Sequence, residues 1–213
     1  MSIRTTEQLS DTLSNDLAWR KKELSEMKSL VEARSFSDQR HKALVRSGVC
    51  ILYSHWEGFV KFAANSYLEY IKSKDLTYKE LSNNFLALAM KEKLKEAKDT
   101  NKPSLYMPVC DFFLSELDQK CFLLKSAKIP TKNFSSEILK EITDILGIDF
   151  SPYSTKSMLI NMLRQQRNNI AHGNYLIIDR EEYIELHIKV IEMLNVFRNQ
   201  IENAAIEKKF MRN

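Results

Sequence analysis

Glycine and proline are scarce, at four of each in 213 residues. These two residues punctuate a chain most strongly, so their scarcity predicts long helices and few tight turns. Strand-like alternation is nearly lacking as well; only Tyr175-Leu176-Ile177-Ile178 reads as extended. No apolar run approaches the ~20 residues that cross a bilayer, so neither a membrane span nor a signal peptide is expected. The three cysteines, Cys50, Cys110 and Cys121, have spacings that fit neither a metal site nor a disulfide framework. Each sits among apolar residues and is expected to be a buried free thiol, with a reducing cytoplasm as the default location. Internal repeats and low-complexity tracts are lacking too.

What is present is apolar sequence at helical spacing, with 44% hydrophobic residues overall. One all-α domain over 1–213 is expected. Within it, 1–36 holds an N-terminal packing helix, read over 5–34 from Leu9, Leu13, Leu17, Leu24, Met27, Leu30 and Val31. The longest and most apolar helix spans 39–73. Thr77-Tyr78-Lys79-Glu80 has capping-box spacing and predicts a third helix from there to about 98. An irregular insert follows over 99–133, read as short helical pieces folded over the bundle or as the strands of a small insert. A helix over 137–146 ends at Gly147, and Ser154 or Thr155 is expected to cap the next one. Asp179, with Glu182 three residues on, caps a last helix over 180–208. That helix is expected to run antiparallel against its predecessor, because the connection is short. The final five residues are expected to fray.

The densest polar cluster is Arg164-Gln165-Gln166-Arg167-Asn168-Asn169-Ile170-Ala171-His172-Gly173. Apolar residues lead into it at helical spacing, so it reads as the last turns of a buried helix, stopped by Gly173. A planar, permanently charged guanidinium can hold two phosphate oxygens. An imidazole titrates near neutrality and can act as general acid or base. Arg167 and His172 together therefore suit a phosphate ester. Residues five apart on a helix are turned by ~140° net, at ~100° per residue. One copy makes a poor site, whereas a two-fold dimer would bring two Arg and two His to a shared groove. Read without further context, Arg167 fits an ion pair and His172 a helix C-terminal cap.

Arg167-Asn168-Asn169-Ile170-Ala171-His172-Gly173 resembles the Arg-(four to six residues)-His signature of HEPN domains, in which an Asn commonly follows the Arg. Tyr53-Ser54-His55-Trp56-Glu57-Gly58-Phe59-Val60-Lys61 resembles the early-helix signature of one bacterial HEPN-like nuclease subfamily. The two stretches and the helices between them cover roughly 40–205. The resemblance implies an up-and-down helical bundle of long antiparallel helices with short additional ones. It also implies a metal-independent endoribonuclease without cofactors, acting as a toxin or anti-phage defence effector. Arg167 would hold the scissile phosphate and His172 would move the proton. Asn168 and Asn169 would orient His172 or the phosphate, and Glu57 or His55 would line the groove. Arg164 and Lys156 would steer RNA. The net charge of +4 permits RNA binding without requiring it. Lysines over 91–102 read first as a solvated helix end and second as an RNA contact. No carboxylate cluster suited to a metal is visible.

A homodimer and a regulatory partner such as an antitoxin are the expected partners. HEPN toxins that a partner modifies carry a Tyr two residues after the His. Here Asn174 holds that place and Tyr175 follows. The alternative to an enzyme is a catalytically silent HEPN module that serves a partner protein, with Arg167 and His172 as interface residues. His41 and His187 have no constellation around them and read as structural or surface residues.

Overall fold

Leucines and valines at steps of three, four and seven make the first helix amphipathic, and it forms over Thr6–Glu32 (α1). Thr5 caps it in a reciprocal box with Gln8. Leu30, read as part of its apolar face, proves exposed. The computed structural model describes residues 3–33, 37–98, 102–122, 124, 129, 134–175 and 178–212, with backbone alone over 92–98. Helix α2 spans Asp38–Lys72, α3 Asn83–Lys98, α4 Met107–Asp111 and α5 Ser136–Leu146. A single turn, α6 (Ser151–Ser154), precedes α7 (Ser157–Ala171), and α8 covers Arg180–Ile206. A short 3₁₀ turn over Pro103–Tyr106 and a π turn over Phe112–Glu116 flank α4. Among the described residues there is no strand, only isolated bridges such as Thr77 with Lys120. The fold is the all-α class that the sequence implies.

Helix α2 is the hub, packed on α1, α7 and α8. Cross-links fix the directions. Ser10 donates to Glu202 and Lys21 to Asn195, while Arg180 reaches the Val31 carbonyl, so α1 and α8 are antiparallel. His55 meets Glu23, and Lys74 meets the Arg4 carbonyl, so α1 and α2 are antiparallel too. Helices α2 and α8 therefore run the same way, and α7 opposes them. The last helix does oppose α7 in direction, but its principal neighbours are α1 and α2. Its buried residues Tyr183, Leu186, Val190, Leu194, Phe197 and Ile201 join the core there.

Two local expectations give way to long-range pairing, and a third is corrected by exposure. Thr77 and Glu80 do bond, with the carboxylate accepting from the Thr77 N–H and hydroxyl at 2.8 and 2.9 Å. They close a turn and not a helix, because Tyr78 and Lys79 donate their N–H groups to the Gln119 and Leu117 carbonyls. The chain end does not fray: the Ser82 N–H bonds to the Phe210 carbonyl, and Phe210 is buried. Cys121 is buried as expected, whereas Cys50 is half-buried and Cys110 exposed. Much of 123–133 lies outside the described residues, as do Leu176 and Ile177 of the extended stretch and the side chains of Lys93, Lys95 and Lys98.

Gly48 of α2 makes room for the Tyr183 ring of α8. A Cβ there would lie 2.5 Å from a ring carbon of the fully buried Tyr183. Alanine favours a helix over glycine by ~1 kcal/mol, but forcing apart a packed ring costs ~1–3 kcal/mol. Gly48→Ala is expected to lower the chemical-denaturation midpoint; a raised midpoint would show that Tyr183 moves freely.

Two buried histidines, His55 of α2 and His187 of α8, face α1. Burial holds the His55 imidazole below its ordinary pKa, with Arg20 acting the same way and Glu23 and Asp16 opposing. Burial and Lys28 do the same to His187, with Glu32 opposing. The unfolded chain then takes up protons more readily than the folded one. Their contribution to stability is complete above the unfolded value of ~6.5 and is lost as pH falls through the lower folded values. Denaturation midpoints are expected to drop on going from neutral to mildly acid pH, and less steeply in a His187→Gln variant. An equal slope in that variant would remove His187 from the account.

Candidate functional site

Helix α7 carries Arg167 because its other face is committed to the core. Ile160 and Leu163 are fully buried and Gln166 nearly so, which fixes the rotation of the helix against α2 and α5. Neither Ser154 nor Thr155 caps it. Lys156 is at the cap position and makes no side-chain capping bond, while the Ser154 hydroxyl donates to the Ser151 carbonyl within α6. The C-terminal end is the one expected. Gly173 has φ +77°, and the N–H groups of His172 and Asn174 reach the Asn168 and Asn169 carbonyls at 3.0 and 2.9 Å.

Arg167 lies on α2. Its guanidinium carbon sits 4.6 Å from the centre of the Tyr53 ring, and Nη2 is 3.7 Å from Glu57 Oε2. The ring face attracts the cation and leaves the NH edges free to bond. Tyr53 is itself locked, since its hydroxyl donates to the Phe134 carbonyl at 3.1 Å. Burial pushes that hydroxyl's pKa up and Glu57 adds to the shift, against the opposing pull of Arg167 and Arg164. The other Glu57 oxygen accepts from Lys61 Nζ at 2.6 Å. Arg167 remains 36% exposed at the side chain, so the guanidinium is held in direction yet reachable.

His172 ends the helix in the open. It is exposed, and among the described residues its side chain has no hydrogen bond or ion pair. Asn168 and Asn169 are half-buried, and it is their carbonyls, not their amide groups, that carry the cap. Arg164, one turn before Arg167, shares the Tyr53 neighbourhood.

The quartet His55-Trp56-Glu57-Gly58 divides its work among the helices. Glu57 meets Arg167 across the α2–α7 contact. His55 does not: its Nε2 lies 2.8 Å from Glu23 on α1, and its ring packs edge-on against Trp19. Two helical positions turn a side chain by ~200°, so His55 and Glu57 face apart. Trp56 is fully buried among Phe134, Tyr153 and Phe197. Gly58 lets Arg20 approach, since a Cβ there would lie 2.7 Å from Arg20 Nη1. Lys156 is also separated from the motif. It pairs with Glu192 of α8 at 2.8 Å, and sixteen helical residues put it ~24 Å from His172 along α7.

One further residue escaped the sequence reading. Arg46 Nη2 donates to the Asn174 carbonyl at 3.2 Å, and its guanidinium lies 5.7 Å from the Tyr175 ring. The signal was available: Arg46, Cys50, Tyr53, Glu57 and Lys61 follow at steps of four, three, four and four, a single stripe on α2. A surface concavity of about 820 Å³, lined by Ser82, Asn83, Gly147, Glu207, Lys209, Met211 and Arg212, contains none of these residues. Among the described residues no group of three His, Cys, Asp or Glu could hold a metal, and no helix is long and apolar enough to cross a membrane.

No curated protein and no solved structure gives a match. A family model described as HEPN_MAE_28990-like HEPN matches residues 9–210, which takes in α1 as well as the two signature stretches. With nearly the whole chain matched and an all-α bundle around the motif, the protein belongs to the HEPN family.

Proposed function

We propose that the protein is a metal-independent endoribonuclease whose site is composite, with Arg167 and His172 contributed by both subunits of a homodimer. HEPN membership points to a nuclease or RNA-related function in general. The finer reading is carried by one observation: a half-exposed arginine braced on Tyr53 and Glu57, close in sequence to an exposed histidine that has no side-chain partner among the described residues. In one chain they leave the helix in different directions, so a second copy is the simplest way to complete a groove.

In such a groove the 2′-hydroxyl of RNA is the nucleophile. One His172 takes its proton as the oxygen attacks phosphorus. The P–O5′ bond breaks, and the 5′-oxygen leaves with a proton from the other His172 as imidazolium. Arg167 neutralises the charge that builds on the phosphoryl oxygens. The products are a 2′,3′-cyclic phosphate and a 5′-hydroxyl. Mapping the fragment ends, with a 2′-deoxy substitution at one cut site, tests this. The expected result is cyclic-phosphate ends and a block at the substituted position. Cleavage through the deoxy position would rule out the internal nucleophile. A role as a toxin or defence effector under a partner's control belongs to the same proposal.

The Glu57–Arg167 ion pair gives a second reading some support, because it partly neutralises the arginine within one chain. In that reading the domain is a silent binding module. Lack of RNA cleavage together with a stoichiometric protein partner would favour it.

A further inference from the structure

We propose that Arg46 is a positioning residue for His172, acting by clamping the turn that follows it; this rests on the reading of His172 as a cleavage residue. The His172 imidazole has no side-chain partner among the described residues, so its placement depends on its own backbone. That backbone sits at a helix end, where carbonyls lack intrahelical partners and fraying is easiest. The turn is held from two sides. From α7, the Asn169 carbonyl accepts the Asn174 N–H at 2.9 Å. From α2, Arg46 Nη2 donates to the Asn174 carbonyl at 3.2 Å and its guanidinium faces the Tyr175 ring. Tyr175 is 69% exposed, and among the described residues Arg46 is a side chain that ties this segment to α2.

The clamp also links the two halves of the site. Burial raises the pKa of the Cys50 thiol, and Arg167 and Arg46 both act against that. Arg167 and the His172 turn are thus referred to one stripe of one helix. A cation that donates to a carbonyl just past a helix C-terminus is also favoured by the helix dipole. Because the bond is charge-assisted, it outweighs an ordinary surface contact.

The test compares wild type, Arg46→Ala and Arg46→Lys by amide hydrogen exchange at Asn174 and by kcat and KM on a defined RNA. Arg46→Ala is expected to speed exchange at Asn174 about tenfold, as a charge-assisted bond is lost. It should lower kcat by about 10- to 100-fold with KM within twofold, as misplacement of a catalytic group does. Arg46→Lys keeps the charge and a donor and should recover most of both. Unchanged exchange at Asn174 in Arg46→Ala would overturn the proposal. So would a raised KM with unchanged kcat and a salt slope of RNA binding reduced by about one, which would make Arg46 a phosphate contact. If the wild type cleaves no RNA at all, it is the nuclease reading that fails, and the exchange data still decide whether Arg46 holds the turn.

Discussion

Arg167→Ala is expected to lower RNA cleavage about 10³-fold, ~4 kcal/mol of transition-state stabilisation, while the fold stays in place. The two halves of that expectation have different causes. The catalytic loss arises because charge develops on phosphoryl oxygens that no other side chain in the motif is braced to meet. The stability change is small because the ion pair with Glu57 is long, at 3.7 Å, and the arginine is 36% exposed. Exposed pairs of this kind contribute ~0–1 kcal/mol. Glu57 is not stranded either, since Lys61 still holds its other oxygen at 2.6 Å. Arg167→Lys should fail nearly as badly, because an ammonium cannot offer a planar fork or lie flat on the Tyr53 ring. Rates and unfolding midpoints of the three proteins check this. A comparable loss of midpoint and rate in Arg167→Ala would make the residue structural.

Trp56→Ala is expected to cost ~3–5 kcal/mol, a large share of the ~5–15 kcal/mol that holds a domain folded. The indole is fully buried and touches Phe134 before α5, Tyr153 in α6 and Phe197 in α8, at centroid distances of 6.1, 6.0 and 6.3 Å. One side chain thus joins three segments to α2, and its removal leaves a cavity that no short side chain fills. Among the described residues the indole N–H has no hydrogen-bond partner. Trp56→Phe therefore removes an unpaired donor along with some volume, and should cost less than ~1.5 kcal/mol. Denaturant titration of both variants measures this. A small loss in Trp56→Ala would mean that the core closes around the gap.

The sequence exposed whatever depends on a helix's own periodicity. Helices α1, α2, α5 and α8 lie within two residues of their expected bounds, because leucines, caps and Gly147 all act locally. The Gly173 stop was legible for the same reason. The start of α3 was not. Thr77 and Glu80 bond as a box does, but residues 117–120 capture the backbone beside them, and nothing local announces that.

Within the site, a signature names neighbours in sequence and says little about faces. His55 and Glu57 stand in one quartet and serve different helices. Lys156 is near the motif in the chain and a helix-length away in space. Arg46 lies far from the motif in sequence and touches its turn. Only the stripe of α2 that carries Arg46, Tyr53, Glu57 and Lys61 together could have pointed to it. Neither the register of α7 against that stripe nor the packing of α8 on α1 and α2 follows from a short connection.

The most direct measurement is incubation of the purified protein with total RNA in excess EDTA, beside Arg167→Ala and His172→Ala. The account predicts cleavage by the wild type alone, with both variants folded and inert. Cleavage that persists in both variants would contradict it, because the site would then lie elsewhere in the bundle.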